Sequence, residues 1–224
     1  MSFDPFAAQI FVSGGYRTVP GAKTQDVINP ADLSVVGKIA LFDARHIGTP
    51  LEAGQIAQRA WAALDAKSRA AALHRVADAM EANAQGPVAE LMTREMGKPY
   101  TEAVGELLNV GSIFRYYAEV ARDDGGFLAG PTSPGSLQFA KYFPYGVSAH
   151  ILPYNFPIIL MAFTGAASLA VGNAVVIKPA PATSLCTLKF MEHFASLPPG
   201  LVSCITGGAE TAQAQVADER VKVV

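Results

Sequence analysis

The chain has 224 residues, with 17 basic and 19 acidic side chains for a formal charge of −2, and half of its residues are hydrophobic. That length holds one large domain or two small ones with volume for a true core, and the near-neutral balance argues against a nucleic-acid binder, which carries a basic excess. Cys186 and Cys204 are too few for a disulfide framework, so a reducing, cytoplasmic compartment is expected. The start, Met1-Ser2-Phe3-Asp4-Pro5, lacks the basic n-region and apolar stretch of a signal peptide.

Residues 1–50 are loop-rich, with short strands expected at Gln9–Val12 and Val35–Ala40. Thr49-Pro50 opens a long helical region in which Leu73, Val76, Ala77 and Met80 recur at i, i+3, i+4 and i+7, the apolar stripe of an amphipathic helix. Gly86-Pro87 interrupts the pattern and a second helix runs toward Met96, where Gly97-Lys98-Pro99 supplies a glycine stop followed by proline. A third helix is expected from about Thr101 to Arg122, closed by Asp123-Asp124-Gly125-Gly126. After a loop at Gly130–Gly135, Leu137–Phe143 reads as a strand.

From Gly146 onward strands and helices alternate. Gly146–Leu152, Ala174–Ile177, Leu201–Ile205 and Val221–Val224 read as strands, and Ile158–Val171, Ser184–Ser196 and Glu210–Ala217 as the helices between them. Such alternation implies βαβ crossovers, hence an α/β fold with a parallel, doubly wound sheet. Val221–Val224 has the character of a buried strand, whereas chain termini usually lie at the surface, so the expectation is a fragment of a longer protein.

Charge is missing from one region. Between positions 142 and 188 the only charged residue is Lys178, and Ile151–Ile177 has none. The stretch is long enough to raise the question of a membrane span, which needs roughly 20 apolar residues. Pro153, Pro157 and the pair Gly172-Asn173 break it in places a spanning helix does not tolerate, so a sheet and helix buried on both faces is expected instead, and no membrane partner.

Open α/β sheets bind ligands at the carboxyl ends of their strands. That rule selects Pro153-Tyr154-Asn155-Phe156-Pro157, Lys178-Pro179 and Gly207-Gly208. Lys178 either meets an anionic or hydroxyl-rich ligand there or extends to solvent along its aliphatic stem. Asn155, between two prolines, is either a rigid donor to negative charge developing on a carbonyl oxygen or a residue bonded to its own turn. The G-x-G-x-x-G dinucleotide signature is absent, and the glycine pair reads as a tight strand-to-helix turn. Cys186 lies near a helix start that would lower a thiol pKa, Cys204 reads as a small buried hydrophobe, and His46, His74, His150 and His193 have no metal-ligand spacing.

Taken together, Pro144-Tyr145-Gly146-Val147, Pro153-Tyr154-Asn155-Phe156-Pro157 and Ala170-Val171-Gly172-Asn173-Ala174-Val175-Val176-Ile177-Lys178-Pro179 resemble the P-x-G-V, P-W-N-F-P and A-x-G-N-x-V-x-K-P segments of the aldehyde dehydrogenase superfamily. Asn29-Pro30, Trp61 with Arg69, Glu95-Met96-Gly97-Lys98-Pro99, Pro198-Pro199-Gly200 and Gly207-Gly208 add weaker matches in the same order, so the resemblance covers essentially the whole chain. It implies an incomplete cofactor-binding domain over 1–224: a helical N-terminal part at 1–130, an oligomerisation hairpin strand at 131–145, and the first half of a Rossmann-like sheet at 146–224. It further implies that Asn155 is the side-chain oxyanion donor, that Lys178 binds the adenosine ribose of NAD or NADP, that Ile151, Pro153 and Tyr154 line the cofactor cleft, and that Gly207 lies near the adenine. The implied reaction converts an aldehyde to a carboxylic acid through a cysteine thiolate in a homo-oligomer. An acylating, coenzyme A-dependent semialdehyde dehydrogenase and a non-catalytic interaction fragment are the alternatives. Two departures from the family pattern matter. Pro181 stands where NAD-preferring members carry a Glu, which removes repulsion toward a 2′-phosphate, and neither cysteine occupies the motif of the nucleophile, just as no residue occupies that of the general-base Glu.

Overall fold

The computed structural model describes residues 2–123 and 125–224. Met1, in the segment read for targeting, and Asp124, in the expected helix stop, lie outside the described residues.

Two short strands open the chain, β1 (Gln9–Val12) and β2 (Gly15–Thr18), joined by Ser13-Gly14 at φ 54° and 76°, the mirror-image geometry that suits a two-residue hairpin. A second hairpin, β3 (Thr24–Ile28) and β4 (Val35–Ala40), forms a small sheet of its own. Four helices follow: α1 (Gly48–Ala63), α2 (Ala66–Ala82), α3 (Pro87–Met96) and α4 (Tyr100–Asp123). The single long helical region expected before Gly86 is two helices, because the Asp65 carboxylate accepts the Ser68 N–H at 2.7 Å and starts α2 afresh. Leu73, Val76, Ala77 and Met80 are all buried, as their spacing predicts, and α2 packs along α4. Gly97 ends α3 in the left-handed conformation, φ 79°, that the expected glycine stop requires.

Beyond α4, β5 (Gly126–Ala129) and β6 (Gln138–Lys141) form an antiparallel hairpin that joins no other strand. β6 is shorter than the expected strand Leu137–Phe143, and β5 is an addition to the expected elements. The alternating part then runs β7 (Val147–Ile151), α5 (Pro157–Ala170), β8 (Ala174–Lys178), α6 (Ser184–Phe190), β9 (Val202–Cys204), α7 (Ala209–Ala217) and β10 (Val221–Val223). Each expected element is present, except that the helix expected at Ser184–Ser196 is α-helical only to Phe190 and continues as a 3-10 turn, Met191–Phe194.

The main sheet has the order β10-β7-β8-β9-β1-β2. Its first four strands are parallel, whereas β1 runs antiparallel to β9, with Phe11 opposite Cys204, and β2 antiparallel to β1. The sheet is thus mixed rather than wholly parallel, because the N-terminal hairpin covers the edge that β9 would otherwise expose. β8 is buried along its whole length: its Ala174, with Val147 of β7, faces Gly54 of α1, and Val175 faces Gly165 of α5 on the other side. Covering both faces leaves no position for a solvated charge, which accounts for the uncharged stretch. Among the described residues no helix is long and apolar enough to cross a membrane.

Candidate functional site

Strand order fixes where a ligand crevice lies. β7, β8 and β9 step one way across the sheet, and α7 returns the chain to β10 on the far side of β7, so the order reverses beside β7. Leu152 N–H donates to Lys178 O at 3.0 Å and Ile205 N–H to Ile177 O at 2.9 Å, which holds the three strand ends level. The segments 152–156, 178–183 and 205–208 therefore form one rim.

Lys178 does not extend to solvent. It is 4% exposed, and its Nζ donates to Pro179 O at 3.0 Å and Gly207 O at 2.9 Å. An ammonium has three donors, so one N–H is left for a ligand acceptor at the rim. Burial lowers its pKa from the ordinary lysine range. Gly207, at φ 155°, passes so close to Thr211 that a Cβ would clash with the Thr211 hydroxyl, and that hydroxyl donates to Phe42 O at 2.9 Å. Lys178 and Gly207 are thus brought into direct contact and tied to the segment after β4.

Asn155 is exposed, and its side chain makes no hydrogen bond with its own turn among the described residues, so the turn-capping alternative does not hold. Its amide is free to donate outward. Ile151 and Tyr154, 40% and 64% exposed, and Pro153 give the rim apolar surface. Pro181 is half-buried and opens a 3-10 turn, Pro181–Thr183, with no charge to offer. A cavity of about 620 Å³ lies beside β7 and α5, walled by Ile151, Pro153, His150, Phe163 and Val223. Tyr154, Asn155, Lys178, Pro181 and Gly207 are not on its wall, so of the candidate residues only Ile151 and Pro153 border this cavity.

Three residues that carry the rim were not among the expected site residues. α5 begins at Pro157 with no capping side chain of its own, and Glu106 of α4 takes that place: its Oε1 accepts the N–H groups of Ile158 and Ile159, both at 3.0 Å. Its other oxygen pairs with Lys98 Nζ, which stands 3.9 Å from the centre of the Phe156 ring. Glu95 does the same for α6, accepting from Leu185 N–H at 2.9 Å and Cys186 N–H at 2.8 Å. Burial raises the Glu95 pKa to about 7. The signal was present in the sequence: Val88, Met92 and Glu95 share one helical face, as do Ala103, Glu106, Val110 and Phe114, and a carboxylate on an apolar face needs donors.

The aldehyde dehydrogenase family model matches residues 18–224. This chain belongs to that family. It is 35% identical over 210 residues to glutarate-semialdehyde dehydrogenase of Pseudomonas putida, an alignment covering 91% of this chain and 43% of that protein. The crystal structure of an aldehyde dehydrogenase from Brucella melitensis biovar abortus 2308 superposes with a TM-score of 0.92 at 32% identity, covering 99% of this chain and 47% of the other. 3,6-Anhydro-L-galactose dehydrogenase in complex with NAP superposes with a TM-score of 0.90 at 28% identity, over 96% of this chain and 46% of the other. The chain spans less than half the length of these relatives.

In this aldehyde dehydrogenase chain neither cysteine is poised as a nucleophile. Cys186 and Cys204 are both fully buried, and burial pushes both thiols well above the ordinary range, with the Glu95 carboxylate adding to the effect at Cys186. The helix-start activation considered for Cys186 fails because Glu95 already occupies the N-terminal donors of α6.

His150 also lies inside. Ser148 Oγ donates to Ala174 O at 2.9 Å and accepts from His150 Nε2, also at 2.9 Å, while His150 Nδ1 lies 2.8 Å from the Thr164 hydroxyl oxygen. The imidazole is held neutral, and burial lowers its pKa to about 4. Below the unfolded value of about 6.5, the unfolded chain gains a proton that the folded chain refuses until about pH 4, so stability falls as pH falls through this window. Between pH 6.5 and 5 the wild type is expected to lose about 1.5 kcal/mol more than His150→Gln, read from urea unfolding at each pH. Equal losses in the two proteins would refute a neutral, buried His150.

Proposed function

We propose that this chain provides the dinucleotide site and oxyanion donor of an NAD(P)-dependent aldehyde dehydrogenase acting on a small aldehyde. The observation that carries this reading is Lys178: a buried ammonium fixed by two carbonyls, with one N–H remaining at the rim where the strand ends meet. A ribose hydroxyl is the acceptor that suits such a donor. Gly207 gives its carbonyl to Lys178 and leaves room for the Thr211 side chain beside the rim, and Ile151, Pro153 and Tyr154 offer apolar surface. Pro181 places no carboxylate opposite the ribose, so a 2′-phosphate is tolerated and both NAD and NADP fit. When bound, the nicotinamide accepts the hydride of the oxidation. Asn155, exposed and unengaged, donates its Nδ2 hydrogen to the aldehyde oxygen as negative charge develops there. The thiolate is not supplied by Cys186 or Cys204, both of which are buried. The exposed faces of Phe127, Leu128 and Phe139 on the β5–β6 hairpin suit assembly into a homo-oligomer, and two free buried cysteines suit a reducing cytoplasm.

Fluorescence titration of the purified chain with NADPH and NADH tests this. Saturable binding is expected, NADPH at least as tight as NADH. Lys178→Met should weaken both roughly tenfold to a hundredfold, the worth of one hydrogen bond to a charged group. With aldehyde and NADP added, the chain alone should give no NADPH above background. Absence of saturable binding, or binding indifferent to Lys178→Met, would sink the cofactor assignment.

A further inference from the structure

The segment Glu95–Pro99 and Glu106 lie in the helical layer, away from the rim, yet each reaches it. Glu106 is 4% exposed and places one oxygen on two successive N–H groups at the start of α5, immediately after the loop that bears Asn155. Lys98, 8% exposed, holds the other oxygen and lies over Phe156, the residue next to Asn155. Glu95, 2% exposed, fixes the first N–H groups of α6, which follows the Lys178–Pro181 segment. α5 has no polar residue at its first positions and α6 no side-chain cap, so these loop ends take their placement from another layer of the molecule.

We infer that Lys98, Glu106 and Glu95 are positioning residues for the dinucleotide rim: Lys98 and Glu106 set the Asn155 loop through Phe156 and the start of α5, and Glu95 sets the Lys178–Pro181 loop through the start of α6. This rests on the cofactor reading above. The physical basis is that a carboxylate accepting two N–H bonds fixes a helix start in both direction and depth, and charge-assisted bonds are roughly twice as strong as neutral ones. Two loops on separate strands are thereby referenced to neighbouring parts of the helical layer, the α3 end with Glu95 and Lys98 and the α4 start with Glu106, and the Lys98–Glu106 pair ties those two parts together.

Backbone hydrogen exchange on the 224-residue chain, with Glu106→Gln and Glu95→Gln as variants, decides the matter. Glu106→Gln is expected to speed exchange at Ile158 and Ile159 roughly tenfold and Glu95→Gln at Leu185 and Cys186 by a similar factor, each beyond any uniform change seen at Leu73 and Val76. Each variant should also weaken NADPH binding several-fold at a temperature where it is fully folded. If a Gln variant fails to fold, Phe156→Leu, at a half-exposed position, should loosen Tyr154 and Ile158 alone, without shifting the melting temperature appreciably. A uniform rise in exchange, or local loosening with unchanged NADPH affinity, would overturn the inference and leave only a structural role. If the wild type binds no NADPH, the cofactor reading fails on that result alone, and positioning is then judged by whether the 15N signals of the Asn155 side chain and Tyr154 shift and broaden in Glu106→Gln.

Discussion

Lys98→Met should lower the free energy of unfolding by about 3–5 kcal/mol, the usual cost of leaving a buried charge without its partner. Glu106 stays behind with its side chain only 1% exposed and no cation beside it. The two α5 N–H groups on its other oxygen soften the loss, which places the expectation at the lower end of that range. Lys98 also gives up its position over the Phe156 ring. The double variant Lys98→Met/Glu106→Gln removes both charges and keeps an amide oxygen for α5, so it should regain most of the loss. Urea midpoints of the two single and the double variants, compared as a cycle, check this. A Lys98→Met protein within about 1 kcal/mol of wild type would show the pair to be as weak as a surface ion pair.

The sequence was most readable where local rules act alone. Strict alternation from Gly146 predicts β7, α5, β8, α6, β9, α7 and β10, because a strand buried on both faces and the helix that covers it differ in length and composition at close range. Gly97 and Pro99 mark the end of α3 through backbone conformation, which is again a local property. The break between α1 and α2 was also written in the chain, as Asp65 three residues before Ser68, but the apolar rhythm runs across it and masks it. The antiparallel addition of β1 and β2 to β9 has no local sign, since it joins strands from opposite ends of the chain. The site divides the same way. The rim positions follow from the rule that ligands meet strand ends, and Lys178 stands out because its surroundings are uncharged. What Lys178 binds within the protein, the carbonyls of Pro179 and Gly207, depends on where β9 lies beside β8 and is invisible until the sheet is assembled. Glu95 and Glu106 look like ordinary surface acids in composition, and only their phase on the helix betrays burial.

Trp61→Ala should cost about 3–5 kcal/mol or slightly more, for two separable reasons. The indole is 1% exposed and among the largest fully buried side chains, so truncation leaves a cavity in the core. Its Nε1–H also donates to Leu169 O at 2.8 Å, in the last turn of α5. That turn has no basic residue, and the chain caps it in part by itself, Gly172 N–H donating to Leu169 O and Asn173 N–H to Ser168 O, both at 3.0 Å; the layer of α1 and α2 adds Arg69 Nε to Ala170 O and Gln58 Nε2 to Gly172 O, both also at 3.0 Å. At its carboxyl end α5 is thus met by its own Gly172-Asn173 backbone together with Trp61, Arg69 and Gln58, whereas at its amino end Glu106 of α4 takes the first two N–H groups. An uncharged helix can sit against an uncharged strand because its flanking backbone and the neighbouring helices together supply polar partners at both of its ends. Trp61→Phe separates the two costs: it keeps most of the bulk and removes only the donor, and because Gly172 N–H still donates to Leu169 O at 3.0 Å, a loss of about 0.5–1.5 kcal/mol is expected. Urea unfolding of the two variants, with an unchanged slope on denaturant, gives the comparison. Should Trp61→Phe be as stable as wild type, the hydrogen bond to Leu169 would count for nothing and Trp61 would act through packing alone.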